Sequence, residues 1–461
     1  MIEKIKKVFG GNPDLVIRKV KINILHKIYV IFFDTLANQD KINEYILKKL
    51  TNLNNTDNLE SLIPGSNFVK LKSFEEIEYY LYNGFTIIVN KNKLYAVETK
   101  ANLDRSIASN EVEIALKGPK NAFNENYQSN IGLIKRRLKT NKLKICELNI
   151  GRLSKSKIAI MYIDGITKMD LVQKIKSKLE NVDIDMINDS EDLKKYLTKT
   201  YVFPTIIATE RPDRCAKSLS SGKVVIIAQE SPTALILPAF IIDFLNPFSD
   251  YYTKDFTISM TKILRFSCFF LSMIVPAFYI AIISFNQEAI PTKLILNFAI
   301  QRTGVPFPAV IECIIMLLLC EILRESDLRF PNKYGSAISI LGALVLGESA
   351  VSAGLITPIM IIVTSFTFIT SLVFPEIEIT NTLRVYRFAF LLGSSFFGLY
   401  GFLLMFLLFL LNLYSTESVG IMYSFPVTPF DFTYIKESIL KLKNKKRSKM
   451  LSNNIIKEKT I

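Results

Sequence analysis

The sequence predicts an α/β region joined to a membrane α-helical domain: two related α/β subdomains, then a multi-helix transmembrane domain with a possible re-entrant segment. Three observations carry this prediction. Charged residues crowd positions 1–265 and 431–461 and leave a strongly apolar block between them. Within that block Phe266–Phe285 and Phe388–Leu413 run for 20 and 26 residues without a charge, and a helix needs about 20 apolar residues to cross a hydrocarbon core. Ahead of the block, KIYVIFFDTL (27–36) and KIAIMYIDGI (157–166) repeat one pattern. The expected division is a first α/β subdomain at 1–115, a second at 116–250, a transmembrane helical domain at 251–430 and a basic tail at 431–461.

In chain order, the two strand patterns align without a gap, Lys27 with Lys157, Asp34 with Asp164 and Asp40 with Asp170. A helical pattern follows each, DKINEYILKKL in one and DLVQKIKSKLE in the other. A second amphipathic helix is expected at SFEEIEYYL (73–81) and at DSEDLKKYL (189–197), and then a hairpin, 84–99 in one copy and 222–238 in the other. This reads as a weak internal duplication, two ordinary α/β units that merely look alike being the other reading. The order strand, helix, helix, hairpin argues for mixed sheets with helices on at least one face. Residues 201–221 of the second copy read as an insert. In the linking segment, IGLIKRRLK reads as a helix with a basic face, whose Arg136 and Arg137 suit an interdomain salt bridge or a solvated surface better than a phosphate. Asp34 and Asp164 each end a strand, where a carboxylate commonly caps a turn or the next helix.

Catalytic chemistry finds little support. His26 is the only histidine, so schemes needing two imidazoles are excluded. The five cysteines have neither metal-like nor disulfide-like spacing, and no glycine-rich phosphate loop follows a strand. No enzyme activity, cofactor or metal is expected. The net charge of +15 is scattered over the soluble part, with its densest run, KLKNKKRSK, at 441–449. Beside membrane spans such a run marks the cytoplasmic side and anionic lipid rather than nucleic acid. The start of the chain lacks the apolar core of a secretory signal, so the N-terminal part is expected in the cytoplasm.

Five apolar segments compete for the bilayer: Phe266–Phe285, Pro306–Leu323, Ala337–Leu355, Thr357–Phe374 and Phe388–Leu413. Five crossings would put the basic tail on the wrong side for the charge rule. Gly342, Gly347, Gly354 and Pro358 break the third segment, so Ala337–Leu355 is expected to be re-entrant or a short helix inside an oligomer, leaving four spans. The alternative is a sixth insertion at PTKLILNFAIQ (291–301). Glu348 is the one charged residue between Tyr334 and Pro375. On a helix Ala343, Gly347, Ala350 and Gly354 form a small-residue stripe that admits a neighbouring helix, and Glu348 and Ser352 share the adjacent face. Glu348 then lines an ion path, a ring of carboxylates around an oligomer, or locks helices together by hydrogen bonding. Glu312 poses the same choice, whereas Glu321 reads as a structural partner of Arg324.

GVPFPAVIECIIMLLLCEILRESDLRFPNKYGSAISILGALVLGESAVSAGLITPIM (304–360) closely resembles the membrane signature of the A-subunit family of bacterial spore germinant receptors. The likeness continues in LKGPKNAFNENYQSNIGLIKRRLK (116–139), ATERPDRCAKSL (208–219) and SPTALILPAFIIDFLNPFSDYY (231–252). It covers roughly 105–430. The resemblance implies a multi-pass protein of the spore inner membrane with its N-terminal region on the cytoplasmic side. It also implies a transporter-like B subunit, a lipoprotein C subunit and a homo-oligomeric ring forming a nutrient-gated ion channel. The alternative is an accessory channel or scaffold subunit in the same membrane that supports small-molecule release without a nutrient-receptor role. Family members usually carry Gln or another uncharged polar residue at the position of Glu348, while the small-residue stripe matches well.

Overall fold

The computed structural model describes residues 2–23, 26–51, 63, 67–91, 93–102, 118–198, 202–253, 255–329 and 347–428. The first unit comprises α1 (Ile2–Phe9), β1 (Leu15–Asn23) and β2 (His26–Phe33). Next comes α2, which runs through Gln39–Lys41, a π-helical Ile42–Leu47 and Lys48–Thr51, and then β3 (Phe68–Leu71), α3 (Glu75–Tyr82), β4 (Phe85–Asn90) and β5 (Lys93–Glu98). The second unit comprises α4 (Tyr127–Arg137), β6 (Leu143–Ile150), β7 (Ser156–Ile163), α5 (Met169–Glu180), β8 (Ile207–Thr209), α6 (Pro212–Ser220), β9 (Val224–Ala228) and β10 (Ala234–Leu237).

The two sheets have one topology. Their strand orders are β1-β2-β4-β5-β3 and β6-β7-β9-β10-β8. The registers also match: Leu15 faces Phe33 as Leu143 faces Ile163, and Ile28 faces Asn90 as Ile158 faces Ala228. Alternate residues of each central strand feed opposite faces. Val30 and Phe32 meet Ile42, Ile46 and Leu50 of α2, while Ile31 and Phe33 share a core with Ile5, Phe9, Ile77 and Leu81. Ile158 and Ile160 likewise meet Leu171, Ile175 and Leu179 of α5. Helices therefore cover both faces.

Three expectations are corrected here. The sheets are antiparallel at every described pairing rather than mixed. β1, for which the sequence predicts no element, and β6, which falls in the segment read as linking the two copies, each form a hairpin with the next strand. The helix matching SFEEIEYYL is α6, not DSEDLKKYL: α3 and α6 each lie between the third and fourth strands and lead into a positive-φ glycine, Gly84 or Gly222. Residues 201–221 are thus no insert. They hold the third strand and the third-to-fourth helix, while 190–197 form a 3-10 turn and a short helix ahead of them.

α4 joins the units. The Asn126 side chain caps its start by accepting the Ser129 N–H. Residues 130–135 are buried, and the Lys135 ammonium, fully enclosed, donates to both Asp14 oxygens at 2.5 and 2.6 Å. Burial pulls the Lys135 pKa down, against the opposing pull of Asp14. The interdomain salt bridge therefore exists, one residue before the expected Arg136 and Arg137. Asp34 accepts from Gln39 and from Gln128 of α4, a turn-holding role.

The apolar block holds α7 (Asp255–Phe285), α8 (Thr292–Arg302), α9 (Ala309–Arg329), α10 (Pro358–Ser371) and α11 (Ile377–Ser415). Among the described residues two helices have the length and hydropathy to cross a membrane, Phe256–Phe285 and Ile377–Ser415. The second folds back on itself at Gly398, with φ 58° and ψ −137°. The Asn412 amide donates to the Tyr386 hydroxyl at 2.6 Å, whereas 26 residues of straight helix would separate them by about 39 Å. Tyr386 and Phe409 rings lie 4.8 Å apart, Phe390 and Phe402 5.6 Å. The arms touch through glycine: a Cβ on Gly401 would sit 2.0 Å from the Gly393 carbonyl oxygen. Phe388–Leu413 is consequently a helical hairpin, not one crossing.

That hairpin also brings the chain back toward where the helical block began. The chain leaves the second unit at α7. Beyond α11 it returns to that unit through a hairpin of Glu417–Ser418 and Ile421–Met422. The Ser418 hydroxyl donates to the Thr205 carbonyl at 2.7 Å, and the Tyr423 carbonyl accepts the Ile241 N–H at 3.2 Å. The helical block thus begins and ends at the same α/β unit. Of the proposed re-entrant segment, 337–346 and with it Gly342 lie outside the described residues, as does the tail from 429 onward. The alternative insertion at 291–301 is α8, none of whose residues is buried.

Candidate functional site

Residues 347–360 form a helix end, a corner and a helix start, each with a local cause. The Leu355 N–H donates to the Ala350 carbonyl and the Gly354 N–H to Val351, the paired bonds of a glycine-terminated helix. Gly354 carries the required positive φ, +66°, and a Cβ there would sit 3.3 Å from the Gly304 carbonyl oxygen. Thr357 is the N-cap of α10 and Pro358 occupies its first turn, where its missing N–H costs nothing. Gly354 and Pro358, candidate gating residues, are thus first of all a stop and a start.

Glu312, in the first turn of α9, is buried at that corner. Its Oε2 accepts the Thr357 N–H at 3.1 Å and the Thr357 hydroxyl at 3.0 Å. It places a carboxylate at the positive end of α10 and ties α9 to the corner. Its Oε1 has no hydrogen-bond partner.

Glu348 is arranged oppositely. The Gly347 side of its turn faces α10, where a Cβ would lie 3.9 Å from Ile361 Cδ1, and Ala350 packs on the same core. Glu348 and Ser352 are exposed on the other side, and Glu348 makes neither hydrogen bond nor ion pair among the described residues. Of the two lone acids, Glu312 is bonded within the chain through its Oε2 and Glu348 is exposed among the described residues.

A second polar centre is only partly legible in the sequence. Pro276, within α7, cannot donate to the carbonyl four residues back, that of Ser272. Arg387 supplies the bond instead, its Nε donating to the Ser272 oxygen at 2.9 Å. Membrane helices tolerate proline where a neighbour satisfies the freed carbonyl in this way. Glu321 sits beside Arg387 at 3.5 Å, Arg384 at 2.8 Å and Arg324 at 3.9 Å. Its reading as structural partner of Arg324 is incomplete, because two arginines lie nearer. A proline in an apolar run and an arginine at the edge of another were the available signals, but their partnership is a matter of contact.

The membrane helices are bound to the second unit by specific pairs. Arg214 of α6 meets Glu376 at 2.8 Å, Lys194 pairs with Glu378, and the Thr382 hydroxyl donates to the Val202 carbonyl at 2.5 Å. Phe203 stacks among Tyr386, Phe409 and Tyr423, with centroids 5.4–6.1 Å away. Nearby, Asp213 accepts from Arg211 at 2.8 Å and from the Tyr252 hydroxyl at 2.8 Å. Burial would raise the Asp213 pKa, but these donors together hold it below the usual range, and burial with Asp213 pushes the Tyr252 phenol up to about 12. Among the described residues no group of three or more His, Cys, Asp or Glu is placed to hold a metal ion.

Comparison with known proteins agrees with the membrane signature. The chain is 34% identical over 454 residues to spore germination protein KA of Bacillus subtilis (strain 168), covering 96% of this chain and 84% of that one. It is 31% identical to spore germination protein A1 of the same organism, covering 96% and 93%. Among solved structures it is similar to the N-terminal domain of the A subunit of the Bacillus megaterium spore germinant receptor GerK3, at 28% identity and a TM-score of 0.41, covering 52% of this chain and 94% of that one. The family described as Bacillus/Clostridium GerA spore germination protein matches residues 3–451, and this chain belongs to that family.

Proposed function

We propose that this chain is the A-type subunit of a spore germinant receptor in the inner spore membrane, and that copies of it form a ring around a nutrient-gated ion channel. The observation that carries the reading is the outward carboxylate. Glu348 lies in a segment without other charges, the described residues leave it exposed, and Ser352 shares its face. A charge at membrane depth needs water or a partner, and sister copies around a wet conduit supply both. The soluble units (1–115 and 116–250), the helical domain (251–430) and the tail (431–461) are the working division, with both soluble ends on the cytoplasmic side. A transporter-like B subunit and a lipoprotein C subunit complete the receptor. The germinant signal reaches the membrane through the second soluble unit, because Arg214, Lys194 and Phe203 grip α11 there.

Glu348→Gln tests the pore. The expected result is altered cation conductance or gating in proteoliposomes with assembly intact; unchanged currents and unchanged germination would remove Glu348 from the ion path. Gly347→Leu should crowd Ile361 of α10 within the chain, read as a lower melting temperature of the full chain in detergent. The accessory-subunit reading is separated by gene context: neighbouring genes for B- and C-type subunits favour the receptor.

A further inference from the structure

Among the described ion pairs the centre around Glu321 holds more positive charge than its carboxylate offsets: three guanidinium groups, those of Arg324, Arg384 and Arg387, share the one carboxylate of Glu321. Arg387 is 1% exposed. Its Nε is committed to the Ser272 carbonyl, but among the described residues its Nη2 has no hydrogen-bond acceptor, and neither do Nε and Nη1 of Arg324, whose Nη2 donates to the Ser371 hydroxyl at 2.5 Å. Buried guanidinium N–H groups without acceptors are costly. Arg384, with its side chain 34% exposed, opens the cluster to the surroundings.

Position adds a second argument. Ser272 lies about 9 Å into the uncharged stretch of α7 that begins at Phe266, and Thr382, on the same arm as Arg387, bonds to the second soluble unit. The cluster therefore sits within about two helical turns of the soluble-side end of the helical domain. Forked N–H groups match phosphate oxygens, and basic pockets between membrane helices hold lipid headgroups.

We propose that Arg324, Arg384 and Arg387 form a binding site for a phosphate group, carried by an anionic phospholipid or present as the free ion. Glu321 splays the guanidinium groups and competes with the ligand. The site is independent of the channel reading, since it needs neither a ring nor a conduit.

The test uses the full chain, delipidated in neutral detergent, with thermal unfolding followed against four additions: phosphatidylglycerol, diacylglycerol, sodium phosphate, and sodium chloride at matched ionic strength. Saturable stabilisation by phosphatidylglycerol but not diacylglycerol supports a lipid site, and stabilisation by phosphate above chloride supports a free-ion site. No difference within either pair overturns the proposal. Arg384→Gln should weaken half-saturation about tenfold, the size of one lost charge-assisted hydrogen bond. Glu321→Gln should lower the melting temperature without ligand yet bind more tightly, which an ion pair serving only the fold would not do. Half-saturation within twofold of the parent for Arg384→Gln, or weaker binding by Glu321→Gln, overturns the site. Should Glu321→Gln not fold, Arg384→Gln alone decides.

Discussion

The two soluble units share a sheet and differ in what they touch. Leu81 and Leu219 occupy matching places in α3 and α6, as do Ile77 and Cys215, and all four are fully buried. One step away the match ends. Glu76 of α3 accepts the Lys72 N–H at an exposed turn, whereas its counterpart Arg214 holds Glu376 of the membrane hairpin. The two cores keep buried residues at matching positions, while Arg214 on the second unit's surface meets Glu376 beside α11. The difference teaches where coupling resides: Arg214 and Lys194 of the second unit pair with Glu376 and Glu378 at the start of α11, and Lys135 with Asp14 ties the units together.

That contrast can be broken at several points. The largest effect is expected from Phe203→Ala, which empties an aromatic site between the second unit and both arms of the hairpin; it should cost about 3–5 kcal/mol of unfolding free energy, measured on the full chain in detergent. Asp14→Asn leaves the Lys135 ammonium buried without a counter-charge and should cost about 3 kcal/mol, with hydrogen exchange rising along α4. Arg214→Ala should cost about 2 kcal/mol because Glu376 stays partly buried, while Glu76→Ala should stay within about 0.5 kcal/mol. Equal effects at these two matched positions would erase the proposed asymmetry.

Acid gives the smallest and most graded test. The second unit contains two carboxylates held below their ordinary range. For each, burial pulls upward and is outweighed by donors: Ser231, Thr233 and Ser190 at Asp189, Arg211 and Tyr252 at Asp213. A lowered folded pKa gives stability that is present above the unfolded value, about 3.9, and is lost as pH falls through the folded value. Below about pH 4 the second unit should therefore lose exchange protection as these groups protonate, and Asp213→Asn should flatten that dependence.

Much of the soluble fold was legible because β-branched runs and aligned aspartates repeat in order. What escaped were short or disguised strands. β8 has only three residues, IAT, below the length at which alternation speaks, and its loss turned a matching helix into an apparent insert. In the membrane part, hydropathy along Phe388–Leu413 records composition and says nothing of direction. Gly393, Gly398 and Gly401 were the visible hint, but a reversal needs Tyr386 to meet Asn412, which no window of sequence contains. Glu312 and Glu348 looked alike as lone acids, and only burial separates them.

The bond from Arg387 to the Ser272 carbonyl has one more consequence. Pro276 untied that oxygen, and a different helix fastened it, so two remote positions became answerable to each other. Swinging the hairpin away from α7 would strand a lone carbonyl in oil. Small displacements therefore carry both helices along together, and only a push strong enough to snap this clasp lets them part.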